Sequence, residues 1–506
     1  MKPEGESEPS PPVSPGEHAT VARNAFYLVI GQVATTALSI VLSAALGRLL
    51  GAADFGLYYL MTTTMTFAFV FVEWGQPVLV IREIAKNHSR AGELLGTALV
   101  LRVAFAVLTL APVWITATAL GYDARTHRLS ILLILASLPL FLAQAYSMAF
   151  RARDRMSRDA AVSVTNKALA LLIALPALEL GFGVHGVVFA QGLAGIAALG
   201  VAVLLYRKLG ATPLRVTSTT ARELVTGGVP ILAMTAAISI QPYLDAIILS
   251  KMSPANVIGW FGAARNILGT LMAPAVILGA AAYPRLARAS TEPGALRREV
   301  KAAFRPLLWL GAMAGTGTYL FARTVIDLIY GSRGFGPAAT VLEVFAPGLF
   351  LLFIDILLGN IIYASGGGTA FAVAKIVSVV VGTGLDIVLI PIFQERYGNG
   401  GIGVVVAFAL SEFVVFVGAM VAFPRRTLTA ATAVDVGRAL GAAGLTVLLF
   451  HLIPPLPAWA GIPLCVVVFG AISLGLGLIG KSDLTVLLSL LSRKKADPPV
   501  VTEAGP

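Results

Sequence analysis

The chain has 506 residues, 57% hydrophobic and 12% charged, with a mean hydropathy of +0.85 and a formal net charge of +11. Soluble domains carry about 25% charged residues, so this composition excludes a soluble enzyme, a disordered scaffold and, despite the basic balance, a nucleic-acid-binding factor. It also disfavours an outer-membrane barrel, whose strands alternate apolar and polar residues over about ten positions; the chain reads as an all-α integral membrane protein.

In chain order, residues 1–20 combine Pro3, Pro9, Pro11, Pro12 and Pro15 with Glu4, Glu6, Glu8 and Glu17. That composition predicts a disordered tail and lacks the apolar core of a signal peptide. Apolar runs of about 20 residues, the length that crosses a bilayer, then recur. They predict about 14 spans, near 24–47, 56–81, 93–119, 128–150, 160–180, 184–206, 226–250, 256–280, 306–328, 338–363, 370–393, 401–423, 434–454 and 461–480. After them, Leu484, Leu487, Leu488 and Leu491 share one helical face, followed by Arg493, Lys494 and Lys495. This predicts a short interfacial helix on the cytoplasmic leaflet. Cys465, the one cysteine, reads as a small buried hydrophobe. No metal-ligand spacing, phosphate-binding loop or nucleophile elbow is present, so no metal and no catalytic residue is expected.

Loops assigned alternately from the N-terminus sort the 37 Lys and Arg residues into 27 on one side, 7 on the other and three inside spans. In that count Lys375 is a loop residue. The bias predicts that both termini face the cytoplasm.

Residues 48–69 (RLLGAADFGLYYLMTTTMTFAF) and 251–272 (KMSPANVIGWFGAARNILGTLM) align at an offset of 203. Arg48 then matches Lys251, Phe55 matches Ile258, Gly56 matches Gly259, and Leu57-Tyr58 matches Trp260-Phe261. The offset equals six spans, which predicts parallel copies. The expected organisation is a tail (1–20), an N-lobe of six spans (21–210), a C-lobe of six (222–425), two further spans (434–480) and a cytoplasmic helix and tail (481–506). Transporters built from repeats hold substrate between the copies; chance likeness of two hairpins is the alternative.

A charge within the bilayer costs about 2.5–3.5 kcal/mol on insertion scales, and such residues face a cavity or a partner. Arg102 lies near the middle of span 3, Arg265 in span 8, Lys167 in span 5 and Arg23 at the start of span 1. These are the candidate substrate-binding residues. Glu73, Asp245, Asp355, Asp386 and Glu412 are the candidate ion-coupling residues. The competing reading is internal salt bridges that pin helices, or snorkelling of the long cations. The cations fall mainly in the first lobe and the acids in the second, which suits a phosphate-bearing substrate held from one side.

At these residues the chain resembles a known family. The run Arg23-Asn24-Ala25-Phe26, then LGRLLGAADFGLYYLMTTTMTF, Gly75-Gln76-Pro77-Val78 and Ile81-Arg82-Glu83-Ile84-Ala85 is similar to the start of O-antigen and polysaccharide flippases. These belong to the multidrug/oligosaccharidyl-lipid/polysaccharide (MOP) exporter superfamily. Asp245-Ala-Ile-Ile-Leu-Ser and Val257-Ile258-Gly259-Trp260-Phe261-Gly262-Ala263-Ala264-Arg265 resemble the family's second lobe.

The resemblance implies two six-helix lobes, alternating access and movement of an undecaprenyl-pyrophosphate-linked oligosaccharide to the outer leaflet, for lipopolysaccharide or other surface polysaccharide. It carries Arg265 over as a pyrophosphate contact. It implies no cofactor beyond coupling H+ or Na+. The expected partners are the lipid-linked oligosaccharide, membrane lipids and a polysaccharide polymerase or other assembly protein, with no nucleic acid. The expected role is a transporter and not an enzyme. A cation-coupled drug or small-solute antiporter is the alternative; a membrane-embedded sugar transferase fits less well, because no outward loop is long enough to carry catalytic groups.

Overall fold

The computed structural model describes residues 15–480 except 211, 291, 333, 424–429 and 455, so most of the predicted tail and the predicted C-terminal interfacial helix lie outside the described residues. The described helices are α1 (Pro15–Glu73), α2 (Gln76–Lys86), a 3-10 turn (His88–Arg90), α3 (Ala91–Ala119), α4 (Ala124–Ala152), α5 (Met156–Glu179), α6 (Gly183–Arg207) and α7 (Ser218–Met252). They continue as α8 (Ala255–Ala289), α9 (Pro293–Tyr330), α10 (Gly336–Ala364), α11 (Gly368–Tyr397), α12 (Gly400–Ala422), α13 (Ala430–Leu452) and α14 (Ala458–Gly475). Among the described residues all regular structure is helical, as the apolar runs predict.

Three details correct the sequence reading. Residues 15–20, expected in the disordered tail, are helical, and Pro15 stands at a helix start, where its missing N–H is not needed. The second span ends at Glu73 instead of residue 81. Trp74 and Gly75 take φ of 49° and 71°, which no α-helix continues, and Pro77 then opens α2. Lys375, tallied with the loops although the predicted span 370–393 includes it, stands within α11.

Among the described residues, eleven helices are long and apolar enough to cross a membrane, or twelve when the bent pair Ser218–Ala237 and Ser239–Met252 is taken as one span. α1 contains the first two predicted spans, divided at Gly51, whose φ of 75° and ψ of 171° are non-helical. Glycine adopts that backbone without a Cβ clash. α9 fails the apolar criterion; its first turns carry Arg297, Arg298, Lys301 and Arg305, so only its later part is the apolar run predicted at 306–328.

Contacts divide the chain into two units. The first comprises Met1–Asn266, Ile326–Val341 and Val379–Ala407; the second comprises Ile267–Val325, Leu342–Ser378 and Phe408–Pro506.

Within the first unit, Ala143, Ala145 and Ala149 of α4 and Ala198 and Ala202 of α6 are buried in one cluster with Leu94, Phe150 and Val162. Lipid tails are as apolar as leucine, so helices in a bilayer gain by close approach of small residues instead of by hydrophobic expulsion. α1 and α8 approach closely. A Cβ on Gly56 would lie 2.3 Å from the Ala255 carbonyl, and one on Gly259 would lie 2.0 Å from the Ala52 carbonyl.

Each of those contacts maps onto the other at the offset of 203, since Ala52 pairs with Ala255 as Gly56 does with Gly259. The same symmetry extends outward. Arg48 of α1 donates through Nε to the Ile329 carbonyl at the end of α9 (3.0 Å) and through Nη2 to that of Leu328. Its counterpart Lys251 of α7 sits 3.7 Å from the Tyr122 ring, just beyond α3. A cation at a helix C-terminus is favourable both to the free carbonyls and to the helix dipole.

Asp123 caps α4, accepting from the Thr126 N–H at 3.1 Å. The Thr126 hydroxyl, helped by this N–H, holds the Asp123 carboxyl below the usual aspartate range.

Candidate transport site

The break after α1 places Glu73 and Gln76 beside α3. Trp74 is fixed there by donating its indole N–H to the Val225 carbonyl (3.0 Å) and by stacking on Phe105 at 4.7 Å between centroids. Arg102 of α3 reaches into this break and is 1% exposed. Its Nε donates to Gln76 Oε1 (3.1 Å), Nη1 donates to the Phe141 carbonyl, and Nη2 lies 3.7 Å from Glu73 Oε1 and 4.0 Å from Met148 Sδ. Every guanidinium nitrogen therefore has a protein neighbour. Glu73 and Arg102, candidates for different roles by sequence, form one ion pair joining α1, α2, α3 and α4.

A second group, also in the first unit, joins α1, α7, α8 and α11. Asp245 (2% exposed) and Asp386 (1% exposed) lie with their carboxyls within hydrogen-bonding reach of each other. Gln241 Nε2, one turn before Asp245 on α7, donates to Asp245 Oδ1 at 2.6 Å. Arg265 on α8 lies within electrostatic range of both Asp245 and Tyr59. Apart from the Asp245 carboxyl, no side-chain or backbone donor among the described residues reaches either Asp386 oxygen. Two carboxyl groups in contact out of water cannot both stay ionised without a cation between them. The pair can therefore hold a proton or a metal ion and release it when the carboxyls separate. Among the described residues no group of three or more His, Cys, Asp and Glu side chains is arranged for a metal.

In the second unit, Lys375 extends between α10 and α12. Its Nζ is 2.6 Å from Asp355 Oδ2 and 3.6 Å from Glu412 Oε2. The two acids, candidates for ion coupling, thus share a lysine that sequence reasoning missed. The signal was the Gly366-Gly367-Gly368 run: a helix opening at Gly368 carries Lys375 two turns into the span.

Lys167 on α5 is half-buried and has no ion-pair or hydrogen-bond partner among the described residues. Arg23 falls on α1, but its side chain lies outside the described residues.

The second unit also holds an elongated cavity of about 800 Å³ between α9, α10, α12 and α13. Phe304, Phe350, Phe413, Phe416 and Leu440 are among its walls, with Thr316, Tyr319 and Thr432 supplying the polar side chains. Such a wall suits hydrocarbon and offers nothing to a phosphate.

Residues 21–290 match the model of the family described as polysaccharide biosynthesis protein. No curated protein matches the chain at a significant level. Among solved structures, the lipid II flippase MurJ in an inward closed conformation is similar with a TM-score of 0.69 and 12% identity, over 90% of this chain and 99% of that one. An inward-facing multidrug resistance MATE family transporter of the MOP superfamily gives 0.64 and 16%, over 77% and 93%. A MOP superfamily transporter from Pyrococcus furiosus, whose binding pocket is described as of reverse polarity, gives 0.57 and 16%, over 80% and 94%. At these identities the likeness is one of fold.

Proposed function

Because the chain belongs to the polysaccharide biosynthesis protein family and has the fold of MOP-superfamily transporters, we propose that it is a flippase for a lipid-linked oligosaccharide. The proposed substrate is an undecaprenyl-pyrophosphate-linked glycan such as an O-antigen unit, moved from the cytoplasmic to the outer leaflet of a bacterial inner membrane. With Lys375 placed inside α11, the Lys and Arg residues still divide 26 to 7, which supports an orientation with cytoplasmic termini.

The physical obstacle is to move two phosphates and a sugar across about 30 Å of hydrocarbon. Cationic positions inside the spans lower that cost, and the prenyl chain can stay in apolar surroundings. The observation that carries the reading is Lys167, an ammonium inside a span with no carboxylate partner among the described residues. Lys167 and Arg265 are the proposed pyrophosphate contacts. Arg102, enclosed by Gln76, Glu73 and Phe141, is proposed to hold the first four helices in register. The Asp245–Asp386 pair is the proposed coupling site for H+ or Na+. A polysaccharide polymerase or other assembly protein is the expected consumer of the product.

The second reading, a cation-coupled drug antiporter, is favoured by the likeness to MATE transporters and by these same carboxyls. The two readings separate at Lys167. In vesicles loaded with lipid-linked oligosaccharide, Lys167→Gln is expected to slow transfer about tenfold, the ratio that corresponds to one charge-assisted hydrogen bond of about 1.5 kcal/mol. An unchanged rate removes Lys167 from the substrate path, and faster extrusion of a cationic dye in the same variant favours the antiporter.

A further inference from the structure

The proposed transport function leaves unused a groove at the far end of the α3–α4 hairpin. Its volume is about 510 Å³, and its walls are Leu110, Ala111 and Trp114 of α3 and Arg128, Ile131 and Leu132 of α4. The two helices are joined by a turn over residues 120–123, so position along each helix gives depth. Arg128 stands about 6 Å from the start of α4, and Leu110 and Leu132 lie about 12–15 Å from that end, at a rise of 1.5 Å per residue. One end of the groove is therefore cationic and near the membrane surface, and the rest is hydrocarbon running toward the bilayer centre.

The groove faces outward. Trp114 is 52% exposed and Leu132 47%, and the neighbouring Leu108 and Ile115 are more exposed still. In a spanning helix such faces meet lipid. The wall is held in place from behind: the Trp114 and His127 rings meet edge to face at 5.0 Å. Pro112, between Ala111 and Trp114, has no N–H to return to the Leu108 carbonyl, which loosens α3 along the groove.

The two arginines of the first turns of α4 differ in what they touch. Arg125 is paired with Asp54 at 3.1 Å. Arg128 has no carboxylate partner among the described residues; its Nε donates to the Ala124 carbonyl at 3.2 Å. That bond orients the side chain along the helix and leaves both terminal nitrogens for an acceptor. A guanidinium in that position matches a phosphate with two parallel N–H donors, and the apolar walls below it match one acyl chain.

We propose that the α3–α4 groove binds an anionic phospholipid of the leaflet that meets the 120–123 turn. Its phosphate sits on Arg128 and one acyl chain lies along Leu110, Trp114 and Leu132. The polarity order, cation at the surface and carbon toward the centre, is that of a phospholipid standing in its own leaflet. The absence of a carboxylate beside Arg128 favours a net negative headgroup.

Trp114 provides the reporter. The parent chain and its Trp114→Phe variant are placed in phosphatidylcholine vesicles containing a minor fraction of phosphatidylglycerol brominated on its acyl chains, and the difference in quenching is assigned to Trp114. The expected result is a local phosphatidylglycerol content about fivefold above bulk, the ratio for one basic residue worth about 1 kcal/mol at an anionic surface. It falls to bulk in Arg128→Gln, while quenching by brominated phosphatidylcholine is unchanged. Bulk-level quenching in the parent chain, or enrichment that survives Arg128→Gln, overturns the proposal and leaves ordinary annular lipid. Native mass spectrometry from the same mixture supplies an independent readout. A retained phosphatidylglycerol adduct that weakens in Arg128→Gln supports the site, and adducts of equal abundance overturn it. Neither readout depends on transport, so the groove and the flippase reading stand or fall separately.

Discussion

Asp245→Asn and Asp386→Asn are each expected to abolish gradient-driven transport while leaving the chain as stable as the parent, or more so. The two carboxyls are 2% and 1% exposed and lie within hydrogen-bonding reach, with Gln241 donating to Asp245, Arg265 within electrostatic range of it, and no donor besides Asp245 at Asp386 among the described residues. In the proposed coupling mechanism a cation between them makes the pair tolerable in the bilayer, and its departure would restore a repulsion that separates α7 from α11. This is the mechanical requirement of a coupling site, because binding of the ion and position of the helices become one equilibrium. An asparagine leaves the volume and one hydrogen bond but needs no cation, so the link is lost. Transport under an imposed H+ or Na+ gradient should fall to the level of protein-free vesicles. Thermal unfolding in detergent should occur at the parent temperature or above. Gradient-driven transport at the parent rate in both variants would show that the pair is a structural contact.

Arg102→Ala is expected to have the opposite signature, a large loss of stability. Removing the guanidinium strands Gln76 and the Phe141 carbonyl, leaves Glu73 without its counter-charge and opens a void at the junction of four helices. Breaking a buried ion pair from one side costs about 3–5 kcal/mol; Glu73, at 30% exposure, recovers part of its solvation, so the lower end applies. Unfolding in detergent should show a clear fall in midpoint, and Arg102→Lys, which keeps the charge but not the three-way reach, should fall between. An Arg102→Ala chain as stable as the parent with selectively weakened substrate binding would return Arg102 to the transport path. Loss of transport in that variant alone therefore does not identify a phosphate contact, whereas Lys167→Gln, at a half-buried side chain with no partner to strand, does.

The depth of each charge was legible in the sequence, since distance along an apolar run converts to distance along a helix. What surrounds each charge was not. Arg102 was readable as a mid-span cation, but its partners come from Glu73-Trp74-Gly75-Gln76, where two residues of positive φ turn the chain back toward α3. Asp245 and Asp386 sit on spans far apart in sequence, and neither apolar run reveals which way its carboxyl faces. Lys375 lay inside the predicted span 370–393 but was tallied with the loop charges, so its place between two buried acids went unread.

The internal repeat carried more than its residues suggested. Gly56 and Gly259, matched at the offset of 203, each admit the backbone of the other's helix. Arg48 bonds carbonyls at the end of α9, and Lys251 lies over the Tyr122 ring in the turn beyond α3. Glycine is legible at such a place because no other residue fits, whereas the lipid-facing groove at Arg128 left no mark in periodicity or charge count.

The most direct measurement is leaflet accessibility of a fluorescent undecaprenyl-pyrophosphate-linked oligosaccharide in vesicles containing the purified chain. The account predicts that label placed in one leaflet becomes accessible to a membrane-impermeant sugar-modifying reagent on the other side, that protein-free vesicles show no such transfer, and that Lys167→Gln slows it. Label that stays in its leaflet at the protein-free rate, while the same vesicles exchange a small cationic dye, would contradict the flippase reading and leave an antiporter of the same fold.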